Sequence, residues 1–337
     1  MSKCNYCAFF SRACANPDWE KYTNDICNEI LVWSARLGQI DVPTIFFGGG
    51  TPSLMPSDCL ERIIKTISDN FRIVPDAEIT MESNPATLDV EKLRAVKSIG
   101  VNRISIGVQS LDDDKLKFLG RKHNAHDALM LIENSMKMGL RTSADFIYGL
   151  PEDTVDDVVT MCNQINKLGL THCSMYELTI EANTPFGRAG LIMPNNDTMA
   201  QMYMMINQTL NLPRYEVSNY CAAGNECRHN QNVWDGEPYV GIGAGAAGRV
   251  LIDGVWYEQM GNGSVWNMLD CDARAIEKII TGMRTIRGCR LTDDVKNVID
   301  INWVNDNPEL VTVHDNRIAP TERGMIVLDD VITKLVK

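Results

Sequence analysis

The chain has 337 residues, 45% of them hydrophobic and 23% charged, which is material for a barrel-sized domain with a small companion or for two ordinary domains. Its formal net charge of −12 repels phosphate backbones and argues against nucleic-acid binding. No apolar run reaches the roughly 18 residues a membrane-spanning helix needs, and no basic-then-apolar leader opens the chain, so a cytoplasmic protein is expected.

The first feature in chain order is "CNYC", Cys4 to Cys7. Eleven cysteines in such a chain suit a reducing compartment, where thiols stay free or bind metal. Cys27, Cys59, Cys162 and Cys173 lie singly among apolar or helical residues, as buried thiols that behave like small hydrophobes do. Only Cys4 and Cys7 stand at ligand spacing. A zinc knuckle needs a second pair, and Cys221 and Cys227 form no C-x-x-C. A thioredoxin-like redox pair follows a strand, and none precedes this one. Iron–sulfur clusters usually take three or four clustered thiolates, and here the next cysteine is Cys14.

From about residue 42 a strand-then-helix rhythm begins. "PTIFFGGG" reads as a short buried strand ending in glycines, and "SDCLERIIKTISDNF" as a helix with Ser57 or Asp58 as N-cap. "AEITMESNP" is the next strand, and "DVEKLRAVKSIG" a helix closed by Gly100. "VNRISIGVQS" leads into "DDDKLKFLG" and "HDALMLIENSMKMG"; "RTSADFIYGLP" gives way to "DTVDDVVTMCNQINKLG"; "THCSMYELTI" precedes a loop and "NDTMAQMYMMINQTL". Short Ile-, Val- and Phe-rich strands separated by helices predict a parallel sheet with crossover helices. Polar or glycine residues close nearly every strand: Gly48 to Thr51, Glu82 to Asn84, Gln109, Asp145, Tyr176 and Glu177. In a barrel these ends share one functional rim, whereas an open doubly wound sheet gathers its ligand at one switch point, so a complete or partial barrel is favoured.

After about residue 213 the chain turns rich in glycine and aromatics with little periodicity. From Cys271 a helix, "RGCRLTDDV" as a second helix, "ELVTVHDNRIAPT" as a hairpin and a closing helix predict a winged-helix-like α+β module. Its 11 acidic against 10 basic residues do not suit DNA, so it reads as a packing or docking module. The expected organisation is 1–212, 213–270 and 271–337.

In order over residues 4 to 249 stand "CNYCAFFS", "FFGGGTPSL", "ESNPAT", "GVNRISIGVQS", "LGRKH", "DFIYGLP", "YELTIEANTPF", "YEVSNY", "HNQNVW" and "GIGAGAAGR". Together they resemble the radical S-adenosylmethionine proteins of the oxygen-independent coproporphyrinogen oxidase family, and within it the HemW-type heme chaperones. The tail "RGCRLTDD…APTERGMIVLDD" is similar to that family's C-terminal module. The fold the resemblance implies is α/β, a partial (β/α) radical-SAM barrel followed by the small module.

The resemblance also implies cofactors and site residues. The family's cluster motif is C-x-x-x-C-x-x-C, whose three thiolates leave one iron of a [4Fe–4S] cluster open to the amino and carboxylate groups of S-adenosylmethionine. Cys4 and Cys7 match its second and third cysteines. The first would fall just before Met1, with Met1, Ser2 and Lys3 as spacers; the family's preceding strand is also missing. A natural protein beginning earlier is therefore expected, and the chain as given should hold a cluster poorly. Cys14, the rival third ligand, has a spacing foreign to the family.

Gly49, Gly50 and Thr51 would cradle the methionine end, their glycines admitting close backbone approach, and Tyr6 would lie on the adenine side. Glu82, Gln109, Arg121 and Asp145 match the family's remaining S-adenosylmethionine contacts; Arg can fork onto a carboxylate, and Asp and Gln suit ribose hydroxyls.

Of five histidines, His229 alone stands in a heme-associated context, since "HNQNVW" resembles the family's H-N-x-x-Y-W. Trp234 and Tyr239 could flank a porphyrin, and Cys227 is a second heme-proximal candidate. His123, in "LGRKH", reads as structural. Two positions depart from the pattern: Val233 replaces the motif tyrosine, and Ala247 stands where relatives carry His. Phe9 stands where the true oxidases carry a further cysteine. The resemblance thus implies a heme chaperone passing heme to an acceptor protein, ahead of an oxygen-independent coproporphyrinogen III oxidase or a degenerate non-catalytic scaffold. A homodimer, and peripheral membrane contact through the acceptor, are compatible with it; nucleic acid is not. Mass spectrometry of the native N-terminus tests the expected extension, and a native start at Met1 refutes it.

Overall fold

Asp18 accepts a hydrogen bond from the Lys21 amide and starts a helix that the strand-and-helix rhythm does not announce, α1 (Trp19–Leu37). Its buried residues, Thr23, Ile26, Ile30 and Trp33, fall at helical spacing on one face. The sequence carried this signal upstream of the first strand. The computed structural model describes residues 3–9, 11, 14–260 and 265–337. They fall into two compact units, Met1–Leu212 and Pro213–Lys337.

In the first unit the elements after α1 are β1 (Asp41–Phe47), α2 (Ser57–Asn70), β2 (Arg72–Ser83), α3 (Val90–Ile99), β3 (Arg103–Gln109), α4 (Asp113–Phe118) and α5 (Ala125–Lys137). They continue with β4 (Arg141–Tyr148), α6 (Val155–Asn166), β5 (His172–Glu177), α7 (Pro185–Arg188) and α8 (Asn196–Thr209). Neighbouring strands β1 to β5 pair in parallel and in chain order, curled into a half-barrel, as the alternation of strands and helices requires. Ile104, Ile106 and Val108 of β3 are fully buried, so the core runs along the middle of the sheet.

Local chemistry sets the boundaries. Asn124 with Asp127 and Thr154 with Asp157 form capping boxes at the starts of α5 and α6. Gly100 ends α3 at φ +118°, a conformation glycine adopts without strain. Two expectations are corrected. β1 is half-buried rather than buried, because it lies at the sheet's edge with β2 as its neighbour. The cap of α2 is Pro56, with Ser57 already helical and no side chain capping, so neither Ser57 nor Asp58 has that role.

The second unit contains β6 (Asn219–Cys221), α9 (Arg228–Trp234), β7 (Gly248–Ile252), β8 (Val255–Met260), β9 (Val265–Leu269) and α10 (Cys271–Gly282). It goes on with β10 (Cys289–Arg290), α11 (Asp293–Val298), α12 (Ile301–Asp306), β11 (Val311–His314), β12 (Arg317–Pro320), α13 (Glu322–Ile326) and α14 (Leu328–Leu335). The stretch that reads as aperiodic holds an antiparallel meander, β7-β8-β9. Its first turn is Asp253-Gly254, both at positive φ, the pairing a two-residue hairpin requires.

"RGCRLTDDV" is only half helical. Gly288, at φ +72°, turns the chain into β10, where Cys289 and Arg290 pair with β12, and the helix begins at Asp293 with Thr292 as its N-cap. The hairpin β11–β12 turns at Asp315-Asn316 and completes the sheet β10-β12-β11 of the α+β module. Ile30, fully buried on α1, should lose about 2–4 kcal/mol of stability on truncation to alanine, read as a lowered urea midpoint. Val32→Ala, at a position 51% exposed on the same helix, should leave the midpoint unchanged.

Candidate functional site

The cysteine pair sits on a turn closed by the Cys7 amide donating to the Cys4 carbonyl at 3.3 Å. Asn5 fixes that turn to distant chain. Its amide donates to the Leu119 carbonyl at 3.1 Å, its Nδ2 to the Phe118 carbonyl at 2.8 Å, and its own carbonyl accepts from the Phe186 amide at 3.0 Å. A Cβ at Gly120 would press on the Asn5 amide group at 3.1 Å, so glycine is what lets the two approach. Tyr6 packs against the apolar group Leu119, Ile147, Leu150, Leu178 and Phe186. Burial pushes its hydroxyl up to about 12, opposed by the charge of Arg121.

Arg121 lies at the centre. One terminal nitrogen is 3.5 Å from the Cys4 sulfur, and the other donates to the Gly107 carbonyl at 2.7 Å. Its Nε is buried with no acceptor among the described residues. At the end of β3 the register shifts between Gly107 and Gln109, and Gln109 is buried at φ +69°. A Cβ on Gly107 would sit 2.7 Å from the Gln109 amide nitrogen and 3.2 Å from Arg121. His123 donates from Nε2 to the Val108 carbonyl at 3.1 Å. Burial, and then the Arg121 charge, hold its pKa down to about 4, so it is a neutral structural imidazole.

Two carboxylates share this rim. Asp145 on β4 accepts from Ser174 Oγ at 2.7 Å and from Ser105 Oγ at 3.1 Å. Burial raises its pKa, opposed by those hydroxyls and by Arg103 and Arg121. Glu82 accepts from the Gly49 amide at 3.1 Å. Burial, then the charge of Asp145, push Glu82 to about 7. The two serines lie on strands adjacent to Asp145, with Ser174 its register partner on β5. Sequence reasoning missed Ser105, Ser174 and Asn5, which carry no motif of their own.

In the "GGGTP" loop the conformational demand falls on Gly49, at φ +111° with open space where a Cβ would go. The crowding falls on Gly48, whose Cβ would meet the Phe46 ring at 3.0 Å. Thr51 turns its hydroxyl onto the Gly50 carbonyl at 2.6 Å and precedes the short turn Pro52–Leu54. The first unit therefore gathers a desolvated carboxylate pair, a guanidinium with a spare N–H and glycine-lined backbone. That set fits a ligand bearing an ammonium, a carboxylate and sugar hydroxyls, as S-adenosylmethionine does. For a cluster the fit is partial: no group of three or more His, Cys, Asp or Glu stands together among the described residues. Cys4 and Cys7 supply two thiols, Cys14 is exposed, and Met1 and Ser2 lie outside the described residues.

In the second unit His229 is half-buried on α9. Cys227 precedes the helix, buried, its amide donating to the Tyr215 hydroxyl at 3.2 Å. Trp234 ends the helix with its indole N–H buried and no acceptor among the described residues. Tyr239 pairs through its backbone with Arg249. Val233 is half-buried and Ala247 exposed. The "GIGAGAAG" segment is held by Gln259, which accepts from the Gly241 amide at 3.0 Å and donates to its carbonyl at 2.5 Å. Glu216, which sequence reading passed over, is fully buried and pushed to about 7 by that burial.

Residues 1–165 match the Radical SAM superfamily. The chain is 36% identical over 259 residues to the heme chaperone HemW of Escherichia coli K12, covering 74% of this chain and 68% of that protein. It is 29% identical over 364 aligned residues to the heme chaperone HemW of Mycobacterium tuberculosis, covering 100% of this chain and 92% of that one. Among solved structures it shares the fold of the E. coli coproporphyrinogen III oxidase HemN, a radical SAM enzyme, at a TM-score of 0.81 and 16% identity, over 99% of this chain and 87% of that one.

A carboxyl raised in the fold contributes stability that is complete below its unfolded pKa and lost as pH climbs through the folded one. For Glu82 that window runs from its ordinary value near 4.5 to about 7. Glu82→Gln should therefore melt with the wild type at pH ~4 and on the order of 5 °C above it at pH ~8. Equal melting temperatures at both pH values would refute the desolvation of Glu82.

Proposed function

The chain belongs to the radical SAM family of HemW-type heme chaperones, and on that footing we propose that it binds heme and passes it to an acceptor protein in the cytoplasm. The observation that carries this is the similarity to the M. tuberculosis heme chaperone along the whole chain, C-terminal module included. In this reading the S-adenosylmethionine cofactor is held by Tyr6, Gly49, Gly50, Thr51, Glu82, Gln109, Arg121 and Asp145. Cys4 and Cys7 supply two thiolates to a [4Fe–4S] cluster. When bound, that cluster would supply reducing power to the cofactor's sulfonium.

The protein's own residues then divide the work. Glu82, once ionised, offers a carboxylate to the ammonium group, and its raised pKa ties that offer to pH near 7. Asp145, anchored by two serine hydroxyls, keeps an acceptor ready for ribose hydroxyls. Arg121 sets a fixed positive charge 3.5 Å from the Cys4 sulfur. In the second unit the His229 imidazole would offer a nitrogen to heme iron, with Trp234 and Tyr239 as flanks. Ala247 contributes no imidazole, so the heme contact depends on His229 more than where a second histidine is present.

Phe9, 72% exposed, occupies the place of the oxidases' further cysteine and favours the chaperone over oxidative decarboxylation. Among the described residues no helix is long and apolar enough to cross a membrane. A homodimer, and peripheral membrane contact through the acceptor, belong to the same reading. Titration with hemin should give a Soret shift whose midpoint rises about tenfold in His229→Ala, the loss of one charged or coordinating contact. No shift in the wild type removes the chaperone reading in favour of a non-catalytic scaffold. Anaerobic incubation with coproporphyrinogen III, S-adenosylmethionine and reductant should yield no protoporphyrinogen; its appearance would establish the oxidase instead.

A further inference from the structure

The helix that carries His229 has little of its own to hold it in place. α9 spans seven residues, its N-cap Cys227 makes no side-chain cap bond, and neither its first nor its last turn carries a charge suited to the helix dipole. A helix this short is not stable in isolation, so neighbouring chain must fix it.

At the N-terminal end the Cys227 amide donates to the Tyr215 hydroxyl at 3.2 Å; at the C-terminal end arginines converge. Trp234, Asp235 and Gly236 are gripped by four arginines from the C-terminal half of the same unit. Arg274, on α10, donates to the Gly236 carbonyl. The Arg284 guanidinium lies 6.0 Å from the Trp234 ring centre. Arg287 donates to Asp235 Oδ2 at 2.9 Å, and Arg317, on β12, stands 3.9 Å from Oδ1. Cations at a helix C-terminus oppose its partial negative charge, and guanidinium stays charged at every relevant pH.

The grip is itself braced. Arg274 donates to Glu277 at 2.8 Å and stacks 4.0 Å from the Trp256 ring. Glu277 in turn accepts from Arg249 at 2.7 Å, at the end of the glycine-rich segment that contains Ala247. Gly236, at φ +74°, leaves room for the contact, since a Cβ there would reach Lys278 at 3.1 Å and Arg274 at 3.4 Å.

We propose that this arginine clamp sets the position of His229, with Asp235 and Arg287 as positioning residues for heme, and that positioning α9 is a task of the C-terminal module. The proposal rests on the heme-binding reading above. It is tested on the full chain by hemin titration at the Soret band, with the ligation bands and the melting temperature recorded for each variant.

Asp235→Asn, which weakens both ion pairs at once, should raise the hemin midpoint about five- to tenfold and shift the ligation bands toward those of His229→Ala. Asp235→Glu should restore most of the affinity. Asp235→Asn combined with His229→Ala should bind no more weakly than His229→Ala alone, because a residue that acts through His229 has nothing left to position. If Asp235→Asn fails to fold, Arg287→Gln, at a side chain 45% exposed, takes its place with the same expectations. Unchanged binding in these variants while His229→Ala weakens it overturns the clamp alone. So does an equal further loss in the His229→Ala background, which would mark a merely structural role. If His229→Ala leaves hemin binding unchanged, the heme reading of this helix falls, and the clamp with it.

Discussion

A single guanidinium organises the first unit. Arg121 reaches the Cys4 sulfur with one nitrogen and the Gly107 carbonyl with another, and its charge bears on Tyr6, His123 and Asp145 as well. Each neighbour is adapted to that cation. Gly107 has no Cβ to obstruct it, His123 stays neutral beside it, and Asp145 keeps some of its acidity despite burial. The carboxylates show the same competition of forces. Glu82 lies beside Asp145 with no arginine bonded to it among the described residues, and the Gly49 amide does not offset the loss of water. A positive charge brought beside the two carboxyls would favour their ionised forms.

The sheet makes this concentration possible. Parallel strands paired in chain order bring the ends of β1 to β5 to one edge, so residues dozens of positions apart become neighbours. That much was legible in the sequence. The alternation of short apolar strands with capped helices gave the half-barrel, and the polar strand ends gave Glu82 and Gln109, whereas Asp145 lies within β4, three residues before its end. What escaped was of two kinds. α1 lies upstream of the first strand, with its own helical spacing of Ile26, Ile30 and Trp33, and β7 to β9 hide among glycines although Asp253-Gly254 marks their hairpin. Ser105, Ser174 and Asn5 escaped for a different reason. Small neutral residues that fix their surroundings through hydrogen bonds leave no pattern in a sequence; strand register brings the two serines to Asp145, and long-range backbone contacts reveal Asn5.

In the second unit the relation between motif and structure is looser. "HNQNVW" folds as a helix too short to stand alone, and the loop after it is fastened by Gln259 bonding both polar groups of Gly241. Backbone of Ala247 fills the space a Gly241 side chain would need, and Gln259 fills that of Gly248, so the glycines of this segment are required by packing even where a family residue has changed. Arginines dominate the remaining contacts, which suits a surface whose partners are carbonyls, carboxylates and aromatic rings.

The attachment of Asn5 carries a consequence for how the molecule comes into being. Its partners Phe118 and Leu119 lie more than a hundred residues downstream, 113 in the case of Phe118, and Phe186 further still. Strand after strand can pair with the one just made as the chain leaves the ribosome, but the cysteine turn, made before all of its partners, lacks the Phe186 contact until α7 has emerged. The fixed shape of that turn is thereby deferred to a nearly finished barrel, and until then its thiols sit on a tether.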